Sequence, residues 1–214
     1  MASALLVAST RSHMDARETL RIQDVGSVLV EAGWKVDLLV PHRSALLTAT
    51  LPQDVRVIDV PVLPSAGVPP RRPSVRRFGT GTLMFLRGTA LVSRNGYSIV
   101  HGFNDGAVIT RAIDRFTLHR FPYIADFTDL YGIRGLYRGF RAGMARRLEY
   151  AAMRHAAAII FADAEAPAML ERRPPPARVS IIPDPHAEIA PDAFTRAEFA
   201  DALEKIYAYA MRES

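Results

Sequence analysis

Three short runs set hydrogen-bonding side chains directly after apolar segments. In "PYIADFTDLYG" the run Tyr123-Ile124-Ala125 leads into Asp126, and Thr128 and Asp129 follow at once. "YSIVH" ends on His101, with Asn104 and Asp105 just beyond it. The first apolar run, "SALLVAS", gives way to Ser9, Thr10, Arg11 and His13. Carboxylates accept hydrogen bonds, carboxamides both give and accept them, and imidazole titrates near neutrality. A core strand does not normally end on two carboxylates, so these tips mark a place where something is held. A plainer reading stays open beside this one. Asp105 or Asp129 could cap the helix that follows it, and His101 could satisfy a backbone carbonyl at a strand end.

The elements that must carry these residues follow from hydrophobic periodicity. "SALLVAS" reads as a buried strand. The spacing predicts a helix over 18–33, with Leu20, Val25, Val28, Leu29 and Ala32 on its apolar stripe and Gly33 as its stop. Strands are expected over 34–40, with Trp34 as a core residue, and over 55–61. The segment "PVLPSAGVPPRRPSVRRFG" is too rich in proline for regular helix and is expected to be irregular until about Thr80. A helix from there to Arg94, a strand over 97–101 and a helix over 106–116 come next. They are followed by a strand over 122–126, a helix over 137–155, a strand over 157–162, a short helix, and a strand over 178–183. Strands alternating with helices, several of them uninterrupted apolar runs, predict an α/β fold. The expected form is a single Rossmann-like, doubly wound, mostly parallel sheet of about seven strands with helices on both faces. In such a sheet ligands bind outside the carboxyl ends of the strands, where the three polar clusters fall.

Composition sets outer limits. The chain has 214 residues, 49% of them hydrophobic, and no cysteine, so neither a disulfide framework nor a cysteine-ligated metal site is available. "MASALLVAST" lacks the basic start and the apolar length of a secretory leader. The expected location is the cytoplasm, with peripheral contact at the inner membrane face. Net charge is +5, and only Lys35 and Lys205 among the 27 cationic residues are lysines. The arginine bias suits an anionic partner. "RRPSVRR" (71–77) in the longest loop could touch an anionic membrane surface. Arg11, Arg17 and Arg21 could meet a phosphate or carboxylate, although solvated surface positions are the expectation for isolated arginines. No nucleic-acid motif accompanies the basic residues. A nicotinamide-binding fold would need a glycine-rich turn after the first strand, and "ASTRSHMDARE" has none.

Taken in order, "GSVLVEAGWKVDLLVP", "YSIVHGFND", "PYIADFTDLYG", "RRLEYAAMRHAAAIIFADAEAPAMLERRP" and "RVSIIPDPHAEIAPDAF" resemble a known family. They are similar to the N-terminal half of family-4-like glycosyltransferases of the glycosyltransferase B fold, over about residues 3–194. The resemblance implies an acceptor-binding domain whose partner domain binds a nucleotide-sugar donor. A sugar would pass to a saccharide or lipid-linked hydroxyl acceptor, with retention of anomeric configuration. It implies Asp126, Thr128 and Asp129 as the catalytic strand-end group, with Asp126 accepting from a sugar hydroxyl. His13, Arg17, His101, Asn104 and Asp105 are implied as acceptor contacts. No cofactor and no metal are expected, and a nucleotide sugar is expected only in the complete enzyme.

The chain also departs from that pattern. Thr128 stands where the family carries a histidine, and threonine cannot titrate near neutral pH. The first loop lacks the glycines that let backbone amides approach a phosphate, and "PDPHAE" replaces the family's Pro-Asn-Gly signature. Residues 1–193 are read as the Rossmann-like domain. Residues 194–214 are read as one helix opened by a Thr195/Glu198 capping box, with Phe199, Leu203, Ile206, Tyr207 and Ala210 on its apolar stripe. This helix resembles the one that returns from the donor domain in two-domain enzymes. A separate or deleted donor domain is therefore expected as a partner, and the chain alone is expected to be inactive. An ordinary last helix of a single domain is the other reading. The alternative function is a non-catalytic saccharide- or lipid-head-group-binding module.

Overall fold

A computed structural model describes residues 1–10, 16–41, 51–62, 73–130, 140–170, 178–183 and 194–212. Seven strands form one sheet: β1 (Ser3–Val7), β2 (Lys35–Pro41), β3 (Val55–Val60), β4 (Ile99–Phe103), β5 (Tyr123–Phe127), β6 (Ala158–Phe161) and β7 (Val179–Ile181). Their order is β3-β2-β1-β4-β5-β6-β7, and every neighbouring pair runs parallel. The chain is an α/β Rossmann-like fold. The order reverses between β1 and β4, so the crevice where such sheets take ligands opens there.

Helices α1 (Ala16–Glu31), α2 (Pro73–Asn95), α3 (Asp105–Phe116), α4 (Phe140–His155) and α5 (Arg196–Arg212) cover the two faces. A 3₁₀ turn at Ala166–Met169 precedes β7. Strand residues alternate between the faces with period two. Leu5, Val7, Val100, Tyr123, Ala125 and Phe127 join Met84, Ile113 and Met153 in the core under α2, α3 and α4. Leu6, Ile99, Phe103, Ile124 and Ile160 join Val25, Leu29, Phe199 and Leu203 in the core under α1 and α5. His101 and Asp126 fall on this second face, between otherwise apolar neighbours.

Three local expectations need correction. First, α2 begins at Pro73, so 73–77 is helical rather than loop. Proline at the first helical position loses no hydrogen bond there, because that amide has no partner within the helix in any case. Second, the buried face of α1 is Glu18, Arg21, Ile22, Val25, Gly26, Val28 and Leu29. Leu20 is 36% exposed, and Ala32 lies exposed beyond the helix end. Third, Arg21 is fully buried, not a solvated surface residue. Trp34 is half-buried and packs edge-on against Tyr207, with ring centroids 5.4 Å apart.

The terminal helix begins with its capping box in place. Thr195 N–H donates to Glu198 Oε2 at 2.7 Å, and Glu198 N–H donates to Thr195 Oγ1 at 3.2 Å. Those two bonds satisfy amides that the first turn leaves open. Phe199, Leu203, Ile206, Tyr207 and Ala210 are all buried against the sheet. Among the described residues no helix is long and apolar enough to cross a membrane.

Candidate functional site

Register fixes the rim. Val7 pairs with Gly102, Phe103 with Asp126, and Phe127 with Phe161, so the tips of β1, β4, β5 and β6 end nearly level. Two close approaches hold the start of α3 against β1 and β4. A Cβ on Gly106 would lie 2.3 Å from Val7 O, and one on Gly102 would lie 2.6 Å from Ala107 Cα. Only hydrogen side chains allow that proximity.

Asn104 is the hub of the rim. Its backbone has φ 50° and ψ −118°, a conformation that favours glycine. The side chain compensates. Oδ1 accepts from the backbone N–H groups of Thr128 (3.0 Å) and Asp129 (3.1 Å). Nδ2 donates to Glu18 Oε2 at 2.7 Å and to Thr128 Oγ1 at 2.8 Å. The second Glu18 oxygen accepts from Ser9 N–H at 3.0 Å. One carboxamide and one buried carboxylate thus tie together the tips of β1, β4 and β5. Beside them Asp105 accepts from Thr10 N–H at 3.0 Å and from the Thr10 hydroxyl.

A second network lies beneath the rim, on the α1/α5 face. Arg21 Nε–H donates to Asp126 Oδ2 at 3.0 Å, and Nη1 donates to Ile182 O at 2.7 Å. The guanidinium sits 5.1 Å over the Phe199 ring. His101 Nε2 lies 3.3 Å from the same Asp126 oxygen, and Nδ1 lies 2.8 Å from the Tyr207 hydroxyl. Every contact is met when Tyr207 donates to Nδ1 and the Nε2–H donates to the carboxylate. The imidazole also stacks on Phe103 at 4.4 Å.

The electrostatics follow from this enclosure. Burial opposes ionisation of Asp126, but the charge of Arg21 and then the hydrogen bond from His101 outweigh it. The carboxyl is held below its ordinary value. Burial dominates for His101, and Arg21 adds repulsion, so its pKa is lowered despite Asp126. Burial, then the Asp126 charge, push the Tyr207 hydroxyl well up. The network holds one neutral imidazole and one ion pair.

The structure therefore places Asn104, Thr128 and Asp129 in direct contact, and Asp105 on Thr10. His101 and Asp126 meet each other, but fully buried and below the tips. Arg17 is exposed in the first turn of α1, and His13 lies outside the described residues. Sequence reasoning missed Glu18 and the polar role of Tyr207, and it named Arg21 as an anion contact expected at the surface rather than as the buried partner of Asp126. A signal was present: Glu18 and Arg21 continue the buried three-and-four spacing of Ile22, Val25 and Leu29. Among the described residues no group of three acidic or histidine side chains could hold a metal ion.

Residues 19–185 match the model of the glycosyl transferase 4-like domain. The chain belongs to that family. The fold of this glycosyl transferase 4-like domain recurs in solved structures. One is the sucrose-phosphate synthase of Thermosynechococcus elongatus: TM-score 0.59, 15% identity, covering 86% of this chain and 48% of that one. Another is Arabidopsis thaliana UGT89C1 complexed with UDP: TM-score 0.57, 14% identity, covering 85% and 48%. A UDP-N-acetylglucosamine 2-epimerase matches at TM-score 0.57 and 11% identity, covering 86% and 48%. The chain spans about half the length of these structures. UGT89C1 has also been solved with quercetin. No curated protein matches.

Proposed function

We propose that this domain is the acceptor-binding half of a glycosyltransferase. A sugar passes from a nucleotide-sugar donor, held by a donor-binding half, to a hydroxyl acceptor held at the rim of β1, β4 and β5. Alone, the chain does not transfer sugar. The observation that carries this reading is the Asn104 knot, a pre-set polar rim at the point where strand order reverses, in a chain of this family. Asp129 faces the acceptor hydroxyl as a hydrogen-bond acceptor and proton-accepting group, and Thr128 fixes the rim through Asn104. Asp126 and His101 act as positioning residues from below. Arg17, at the start of α1, supplies an acceptor contact together with His13. On this reading α5 is the helix that returns to the acceptor domain, and its capping box and buried Tyr207 support the docking.

One observation favours the second reading, a non-catalytic saccharide- or head-group-binding module. The side chain at the β5 tip is threonine, its hydroxyl bound to Asn104, and Asp105 is occupied by Thr10. The epimerase among the structural neighbours also shows that this fold is not confined to transfer.

Titration of the chain with UDP, GDP, their sugar conjugates and a panel of glycosides separates these readings. The expected result is no transfer by the chain alone, and glycoside binding that is lost in Asp129→Ala. Sugar transfer by the chain alone would overturn the claim of inactivity. Donor-independent binding unaffected by Asp129→Ala would favour the module.

A further inference from the structure

The opposite edge of the sheet carries a second polar concavity. It is a cleft of about 500 Å³ lined by Asp114, His119, Arg120, His155 and Arg178, with the backbone entering β5 and β6 as its floor. β5 is five residues long, which puts this cleft about 15 Å from the rim. Neither reading of the rim uses it.

Its geometry is set by a strained turn. After α3 ends, Leu118 and His119 both take positive φ, 60° and 57°. His119 N–H donates to Asp114 O at 2.9 Å, and its Nδ1 meets Asp114 Oδ2 at 2.8 Å, which leaves Nε2 for a ligand. Arg111 Nη1 holds the same carboxylate oxygen at 2.6 Å. Asp114, the one acid among the described lining residues, is thus paired with Arg111 and hydrogen-bonded to His119. Among the described residues Arg120 and Arg178 have no ion-pair partner, and both border the cleft. Two arginines and two imidazoles around a compensated carboxylate form a cationic pocket of a size that suits a small phosphate ester.

We propose that this cleft binds a phosphate-bearing anion, through Arg120 and Arg178, with the imidazoles of His119 and His155 as further hydrogen-bonding partners. The field around His155 agrees. Partial burial, then the charges of Arg111, Arg154 and His119, lower its pKa, with Asp114 opposing. A bound dianion opposes that field and makes protonation of His155 easier.

The test follows the imidazole resonances of His119 and His155 by NMR at constant ionic strength. The probes are inorganic phosphate, glycerol 3-phosphate, and vesicles of phosphatidylglycerol in phosphatidylcholine, with chloride as control. The expected result is a saturable shift of both resonances, with the His155 pKa raised on binding. Binding weakens about tenfold or more in Arg120→Gln/Arg178→Gln while the His101 resonance stays in place. Response to the soluble phosphates assigns a metabolite source, and response to anionic vesicles alone assigns a lipid head group. Should the double variant fail to fold, Arg120→Glu at its exposed position reads the same loss. No saturable response to any phosphate probe, or binding undiminished by the substitutions, overturns the proposal.

Discussion

Arg21 donates to Asp126 across 3.0 Å, and neither side chain reaches solvent. The pair joins α1 to β5. Through Ile182 O, Phe199, His101 and Tyr207 it also reaches the end of β7, β4 and α5. A buried ion pair gains little over an apolar replacement, yet removing one partner strands the other charge away from water. Asp126→Asn and Arg21→Gln should therefore each cost about 3–5 kcal/mol. The joint change Arg21→Met/Asp126→Leu should recover most of that loss. Urea unfolding of the four proteins decides the matter, and single variants within about 1 kcal/mol of the parent would remove the ion pair from this account.

His101 gives the network a pH dependence with a defined sign. Its folded pKa lies below its ordinary 6.5, so the unfolded chain takes up a proton that the folded chain refuses. Stability should fall as pH drops below about 6.5, by up to about 1.4 kcal/mol per pH unit. Asp126 adds a second loss at lower pH. Its stabilisation is complete above the ordinary 3.8 and disappears as pH falls through its lowered folded pKa. Arg21, Asp126 and Tyr207 are the ionisable groups against the imidazole. His101→Gln keeps an amide donor toward Asp126 but cannot titrate. Unfolding free energies at pH 7.5 and 5.5 should differ less in this variant than in the parent. Equal slopes would mean that His101 is not the group responsible.

These two networks mark the boundary of what was legible. Apolar runs and helical stripes are local signals, so the seven strands, their alternation with helices, and the face of α5 could be read directly. The polar tips could be placed on one rim because a parallel sheet puts all strand ends at one edge. Whether a tip residue faces solvent or the core depends on partners far away in sequence. Asp126 and Arg21 are separated by 105 positions, and no periodicity announces that pairing. Tyr207 was legible as part of an apolar stripe, but its hydroxyl acquires a role only once β4 lies beneath it. Pro73 misled for a different reason: proline stops a helix from within but is tolerated at its first position.

Asn104 tests whether the rim is held by its side chain or only by the backbone. Glycine would relieve the positive φ but forfeit the side-chain bonds to Glu18, Thr128 and Asp129. Alanine would forfeit the bonds and keep the strain. Asn104→Ala should thus be the less stable of the two by about 1 kcal/mol or more. Both should lose glycoside binding. A glycine variant that binds like the parent would show that the backbone alone shapes the rim.

Two glycines predict opposite outcomes for the same substitution. Gly106 opens α3 against β1, and an added Cβ would lie 2.3 Å from Val7 O and 2.7 Å from Ala8 O. Both are backbone atoms at the end of β1 and cannot step aside, so Gly106→Ala should cost about 1–3 kcal/mol or more by overpacking. It should also displace Asn104 and Asp105, which precede it in the same turn. Gly143 lies at an exposed position of α4, where an added Cβ meets nothing within 4 Å. There alanine restricts the unfolded chain and suits the helix, so Gly143→Ala should add about 0.5–1 kcal/mol. Thermal unfolding of the two variants should move the midpoint in opposite directions. A neutral Gly106→Ala would mean that α3 does not start as close to β1 as the rim requires, and the strand-tip knot would then need another support.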